Sequence, residues 1–335
     1  MNSEDGPLNL RPARYAYEDR WVYSHYQTLL PHLTGQLSRG VKTPGVHWHI
    51  EVNDPHAGAV KEVGILHDQA DSDQLIILIH GLGSTPDAAY VRKATDAFMT
   101  LGYAVLRLAL RGATGVATDF YNAALTAGLH AALDDPRITR YAHRYVMGFS
   151  LGGHLALRYA TEIADDSALK VVGVCPPLSL EGCQINLDRA PVNIYRRHCL
   201  AGLRRTVRDS ALNAQRLGQT LDVDVSALDA IKTFRQWDGQ VVAKRFNYDG
   251  ADDYYARASA GPVLHQLNIP SLLVCTRHDP MVPIETLQPY LQVSQLTSII
   301  AERGGHVGFP KDIDLGLGPT PGLIAQVHSW LQGTA

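Results

Sequence analysis

Leu75, Ile76, Ile77, Leu78 and Ile79 form an unbroken apolar run that stops at His80 and Gly81. A strand with one wetted face alternates polar and apolar residues. A strand that does not alternate has both faces covered, as in a parallel sheet layered between helices. The chain repeats this arrangement. Further short apolar strands are expected at 103–108, 145–147 and 171–175, with helical segments at 87–101, 119–133 and 151–164 between them. The rhythm resumes at 271–275 and 298–300. It closes with a helix opened by Thr320 and Pro321 that runs to about Leu331. Strands joined by helices at this interval imply right-handed crossovers, so the expected class is α/β, with a mostly parallel, doubly wound sheet.

Between residues 176 and 270 the rhythm is lost. This stretch is polar and mostly helical in pattern, with arginine clusters and with aromatics at Phe234, Trp237, Phe246, Tyr248, Tyr254 and Tyr255. An insertion there would lie over the carboxyl edge of the sheet. It is expected to be a helical cap, with bulky residues such as Trp237 and Phe246 lining the pocket beneath. The expected division is therefore an N-terminal extension at 1–72 packed on the core, the core itself at 73–175 and 271–335, and the cap at 176–270. Two or three antiparallel strands, built around 46–52 and 60–66, are expected in the extension.

A length of 335 residues with 45% apolar content can enclose a sizeable core. The net charge of −3 and the absence of a long basic run exclude a nucleic-acid surface. The densest basic stretch, Arg196, Arg197, Arg204, Arg205 and Arg208, has helical spacing and is expected to be a solvated helix face. Residues 1–7 offer neither a basic opening nor an apolar run, so neither a signal peptide nor a membrane anchor is expected and the cytoplasm is favoured. Cys175, Cys183, Cys199 and Cys275 lie far apart without metal-ligand spacing. No disulfide and no zinc site are expected from them.

The chemistry is carried by Gly148, Ser150 and Gly152, a Gly-x-Ser-x-Gly between the strand at 145–147 and the helix after it. A sharp turn there would hold the serine in a strained conformation with its hydroxyl in the open, and the small residues on either side would prevent collisions. A serine nucleophile also needs a base, a carboxylate to orient that base, and donors for the developing oxyanion. Asp279 follows the strand at 271–275, and His306 lies in the glycine-rich loop at 303–308. The order Ser, Asp, His is that of the α/β-hydrolases, distinct from the chymotrypsin and subtilisin orders. Asp252 and Asp253 are poorer acids because they lie in the cap. His278 is the alternative base, in the wrong chain position. The expected oxyanion donors are the N–H of Leu151 and one from the loop at 80–84, for which Leu82 is the candidate. That loop lacks the Lys-Ser/Thr ending of a phosphate-binding loop and the third glycine of a dinucleotide fingerprint.

Taken together, His80-Gly81-Leu82, Arg111-Gly112 with Gly115, Gly148-Phe149-Ser150-Leu151-Gly152-Gly153, His278-Asp279-Pro280 and Gly304-Gly305-His306-Val307-Gly308-Phe309 resemble the YheT-like branch of the α/β-hydrolases. That branch is itself similar to the mammalian abhydrolase-domain lipases and esterases. His25, Gln27 and Thr28 match the family's N-terminal His-x-Gln-Thr, and Tyr254, Tyr255 and Ser259 match a Tyr-Tyr-x-x-x-Ser near the end of its cap. Two positions depart from the pattern: Tyr23-Ser24 stands where the family has Asn-Pro, and His278 where it commonly has Asp. The resemblance covers roughly 24–332. It implies hydrolysis of carboxylic esters, often short or medium acyl esters or glycerides, without a cofactor. An acyltransferase or thioesterase on the same fold, and a non-catalytic binding protein that kept the fold, are the alternatives.

Overall fold

The computed structural model describes residues 20–35, 41–164, 166–189 and 193–333. Eight strands form one sheet: β1 (Val46–Asp54), β2 (Gly58–His67), β3 (Gln74–Ile79), β4 (Ala104–Leu108), β5 (His143–Phe149), β6 (Leu169–Val174), β7 (Ser271–Thr276) and β8 (Leu296–Ala301). Their order across the sheet is β1-β2-β4-β3-β5-β6-β7-β8. From β4 to β8 every pairing is parallel, whereas β1–β2 and β2–β4 are antiparallel. The unalternating strand β3 is buried from Leu75 to Ile79, and its two faces feed separate cores. Leu75, Ile77 and Ile79 join one core, Ile76 and Leu78 the other, following the period of two along a strand.

The helices, in chain order, are α1 (Arg20–Gly35), α2 (Ala89–Thr100), α3 (Ala127–Asp134), α4 (Pro136–Thr139), α5 (Leu151–Glu162), α6 (Leu180–Asp188), α7 (Asn193–Arg216), α8 (Phe234–Trp237), α9 (Ala243–Arg245), α10 (Ala251–Ala258) and α11 (Leu323–Leu331). Helices α6 to α10 all fall between β6 and β7, so the interrupted stretch is helical. A wide π-turn, Asp238–Val242, joins α8 to α9. None of the described helices is long and apolar enough to cross a membrane.

Three expectations need correction. The extension holds the antiparallel pair β1–β2, in register from Val46 opposite Leu66 to Asp54 opposite Gly58, but it also holds helix α1, which apolar periodicity did not predict. The helix expected from 119 begins only at Ala127. Residues before it are engaged elsewhere: the buried Asp119 carboxylate takes Arg245 Nε at 3.0 Å, its carbonyl takes the Ser210 hydroxyl, and the Tyr121 hydroxyl accepts from the Gly83 amide. The arginines of α7 are also more than a solvated face. Arg204 donates to the carbonyls of Leu228 and Ile231, Arg196 to that of Asp188, and Arg208 pairs with Asp229.

A buried ionic cluster ties the extension to the sheet. Arg111 lies 2.6 Å from both Asp54 and Glu62, and 3.7 Å from Asp119. Burial raises the Glu62 carboxyl despite the guanidinium beside it. Removing one partner from such a cluster would strand an uncompensated charge.

Candidate active site

Ser150 joins β5 to α5 with φ 54°, ψ −121°, a region disfavoured for a residue bearing a Cβ. Close packing imposes the turn. A Cβ on Gly148 would lie 2.0 Å from the Gly152 carbonyl oxygen, and one on Gly152 would lie 2.5 Å from the carbonyls of Ile79 and His80. Both positions therefore require glycine, and the Ser150 amide is held by the Val174 carbonyl at 2.8 Å.

The three candidate residues from distant parts of the chain meet here. His306 Nε2 is 2.8 Å from Ser150 Oγ, and His306 Nδ1 is 2.8 Å from Asp279 Oδ2. The other Asp279 oxygen accepts the amides of Met281 and Val282 at 2.8 and 3.0 Å. His306, rather than His278, is therefore the histidine bonded to the serine. Asp252 and Asp253 are spent on ion pairs with Arg235 and Arg257.

The loop after β3 runs beside the serine, since a Cβ on Gly81 would come 3.1 Å from Ser150 Cβ. His80 anchors this loop. It accepts the Leu110 amide on Nε2 and donates from Nδ1 to the Gly81 carbonyl, and full burial lowers its pKa to about 4, so the imidazole is neutral. The Gly81 and Gly83 amides donate to the hydroxyls of Tyr90 and Tyr121. The Leu82 amide between them has no acceptor among the described residues. Leu151 opens α5, where backbone N–H groups are unsatisfied by the helix itself.

Helix α1 holds the loop that carries His306, a contact sequence reasoning missed. The His306 amide donates to Thr28 Oγ1 at 2.7 Å, the Thr28 hydroxyl donates to the Ser24 carbonyl, and the Ser24 hydroxyl donates to the Gly304 carbonyl. A Cβ on Gly305 would lie 2.3 Å from the Ser24 carbonyl oxygen, so helix and loop touch backbone to backbone. The His-x-Gln-Thr match was the available signal. His25 of the same motif meets the Tyr195 hydroxyl of α7 at 2.6 Å.

Cys175 Sγ, an Asp279 oxygen and a His306 nitrogen lie within 4.8 Å of one another, a set that could in principle hold a metal ion. Burial, helped by the Asp279 charge, pushes the thiol pKa well up. All four cysteines are buried with free thiols.

Ser150 and His306 line two cavities. One, of about 90 Å³, runs under α6, α8 and α10, with Leu151, Leu187, Phe234 and Trp237 among its lining. The other, of about 190 Å³, lies against α1 and α7, with Thr28, Leu29, Tyr195 and Cys199. Trp237 meets the first cavity as expected. Phe246 does not: it packs edge-on against Phe120 and His56, outside the lining.

Residues 76–312 match the Alpha/beta hydrolase family. YheT of Escherichia coli is 26% identical over 315 residues, covering 92% of this chain and 89% of that protein. The Monoacylglycerol lipase of Saccharomyces cerevisiae is 26% identical over 257 residues, covering 72% of this chain and 56% of that protein, so the chain spans under two thirds of that relative's length. Among solved structures, the Alpha/beta hydrolase GrgF from Penicillium sp. sh18 aligns with TM-score 0.50 at 16% identity, covering 86% of this chain and 96% of that one, a likeness of fold alone. The chain belongs to the alpha/beta hydrolase family.

Proposed function

We propose that the protein is a serine carboxylic ester hydrolase that works through an acyl-enzyme on short to medium acyl esters or glycerides. The observation that carries this reading is the continuous pair of 2.8 Å contacts from Ser150 through His306 to Asp279 at the mouth of an apolar cavity. Ser150 Oγ attacks the acyl carbonyl carbon while its proton passes to His306 Nε2. Asp279 keeps the Nδ1 proton facing it and stabilises the imidazolium. The N–H groups of Leu82 and Leu151 receive the tetrahedral oxyanion. His306 then returns the proton to the departing alkoxide, leaving the acyl group on Ser150. Water repeats the sequence: it gives a proton to Nε2 and its oxygen to the acyl carbon, and Ser150 leaves with the proton.

Two cavities meeting at one serine suit an ester, whose acyl and alcohol parts diverge from the reacting carbon. Residues 176–270 are read as a cap over the acyl side. A glyceride fits the apolar lining, and the yeast relative is a monoacylglycerol lipase. The test is labelling with a fluorophosphonate, followed by turnover of esters of graded acyl length with an acyl-CoA thioester included. Ser150→Ala should abolish labelling and nearly all hydrolysis while the thermal unfolding profile is kept. Stoichiometric labelling of the variant would sink the assignment, and preferential turnover of the thioester would move the substrate class.

A further inference from the structure

The cavity under α6, α8 and α10 is apolar along most of its lining, yet it takes in a carboxamide with an unpartnered buried acceptor, Gln184, and a carboxyl, Asp238. Gln184 of α6 is 92% buried by its 8% exposure, and its amide orientation is fixed. Its Nε2 donates to Asp188 Oδ2 at 2.6 Å, and a carboxylate can only accept, so the nitrogen must face Asp188. Gln184 Oε1 is then left buried without a partner among the described residues. A buried acceptor left in this way carries a desolvation cost that a hydrogen-bond donor in the cavity would relieve.

Asp238 is the second group. It opens the π-turn, an irregularity common at functional sites, and lies in the same lining. One carboxyl oxygen accepts the Tyr255 hydroxyl at 2.8 Å. Burial, with the Asp188 charge adding to it, raises the carboxyl pKa to about 7. Both groups are thus bound up with Asp188, Gln184 through a hydrogen bond and Asp238 through like charge. The Tyr254 hydroxyl, also in the lining, is occupied by the Ala123 amide. A pocket meant for plain hydrocarbon would need neither acceptor, because each weakens the apolar contact it interrupts.

We infer that Gln184 and Asp238 form a polar subsite within the acyl pocket that recognises an acyl chain bearing a hydroxyl group, so that the substrate class is a hydroxyacyl ester. The inference rests on the serine-esterase reading for its direction, acyl side inward. The hydroxyl donates to Gln184 Oε1 or to the Asp238 carboxyl, and the methylenes around it pack on Leu187, Phe234 and Trp237. A site that offers an acceptor discriminates for the group that fills it.

The experiment uses the full chain and methyl octanoate together with its positional hydroxy isomers. In the wild-type protein, kcat/KM for at least one isomer should exceed that of methyl octanoate by about tenfold, the worth of one hydrogen bond to a buried acceptor. Gln184→Leu and Asp238→Leu should each reduce that ratio toward one. The same esters titrated calorimetrically into the Ser150→Ala protein read the preference without turnover, and the favoured isomer should bind about tenfold tighter than the parent ester. Ratios at or below one for every isomer in both measurements would overturn the subsite, as would a preference that both leucine variants retain. Absence of turnover with a retained binding preference would instead overturn the esterase reading and leave the subsite standing.

Discussion

Helix α1 and the helical stretch between β6 and β7 both reach the candidate site, the first through hydrogen bonds to the backbone of Gly304 and His306 and the second through side chains that line a cavity at Ser150. On the α1 side the hydroxyls of Thr28 and Ser24 are matched: Thr28 serves the His306 amide and the Ser24 carbonyl, and Ser24 serves the Gly304 carbonyl. On the cavity side the lining is mostly apolar, and Gln184 Oε1 has no partner among the described residues. A matched polar contact fixes geometry, whereas a lined cavity sorts ligands by size and polarity. The difference teaches that the loop carrying His306 is positioned by α1, whereas the cavity holding Gln184 and Trp237 is lined by the stretch between β6 and β7, far away in sequence.

The largest effect should come from breaking the first side. Thr28→Val leaves the buried His306 amide without its acceptor, a loss of about 1–3 kcal/mol, which predicts a fall of roughly 10- to 100-fold in kcat with little change in KM. Thr28→Ser, which restores the hydroxyl, should recover most of the rate. A uniform rise in KM, or no recovery with serine, would show that α1 acts on the substrate rather than on the histidine. On the second side, Trp237→Ala should shift the chain-length optimum upward while turnover of a small ester changes by less than about tenfold, since each methylene in an apolar pocket is worth roughly 1 kcal/mol. An unchanged profile with the protein folded would assign these helices a role other than sizing.

The smallest effect is on stability. The Asp238 pKa rises from 3.8 to about 7 on folding. Between those values the folded state holds a proton that the unfolded chain has released, so the contribution of this group falls as pH rises across the window. Asp238→Asn should flatten that fall, and its melting temperature should exceed the wild-type value by a few degrees above pH 7 and converge with it near pH 4. Parallel melting profiles for the two proteins would show that the carboxyl is not desolvated.

The sheet and the candidate site were legible for a common reason. Burial on both faces removes alternation from β3, and the turn at Ser150 admits only glycine at 148 and 152, so both constraints are written as residue types. Helix α1 escaped because two positions it buries, Ser24 and Thr28, are polar, which erases the apolar stripe that marks a packed helix. The stretch at 119–126 read as helix because its residues tolerate one, and contacts to Arg245, Ser210 and Gly83 decide otherwise. Gln184 and Asp238 look in sequence like any solvent-facing residues of a polar helical stretch, and only the cavity distinguishes them.

The clasp between Ser24 and Gly304 also dictates an order of assembly, because its partners are 280 residues apart. During synthesis at about 5–20 residues per second, α1 leaves the ribosome roughly 15–60 s before the loop it must hold exists. An apolar helix exposed for that interval would invite aggregation. A face presenting Ser24 and Thr28 is instead content in water until β8 and the loop after it arrive. Under the proposed function, full ester turnover would then await this late contact, so that the rise to full activity on a nascent chain marks the completion of folding.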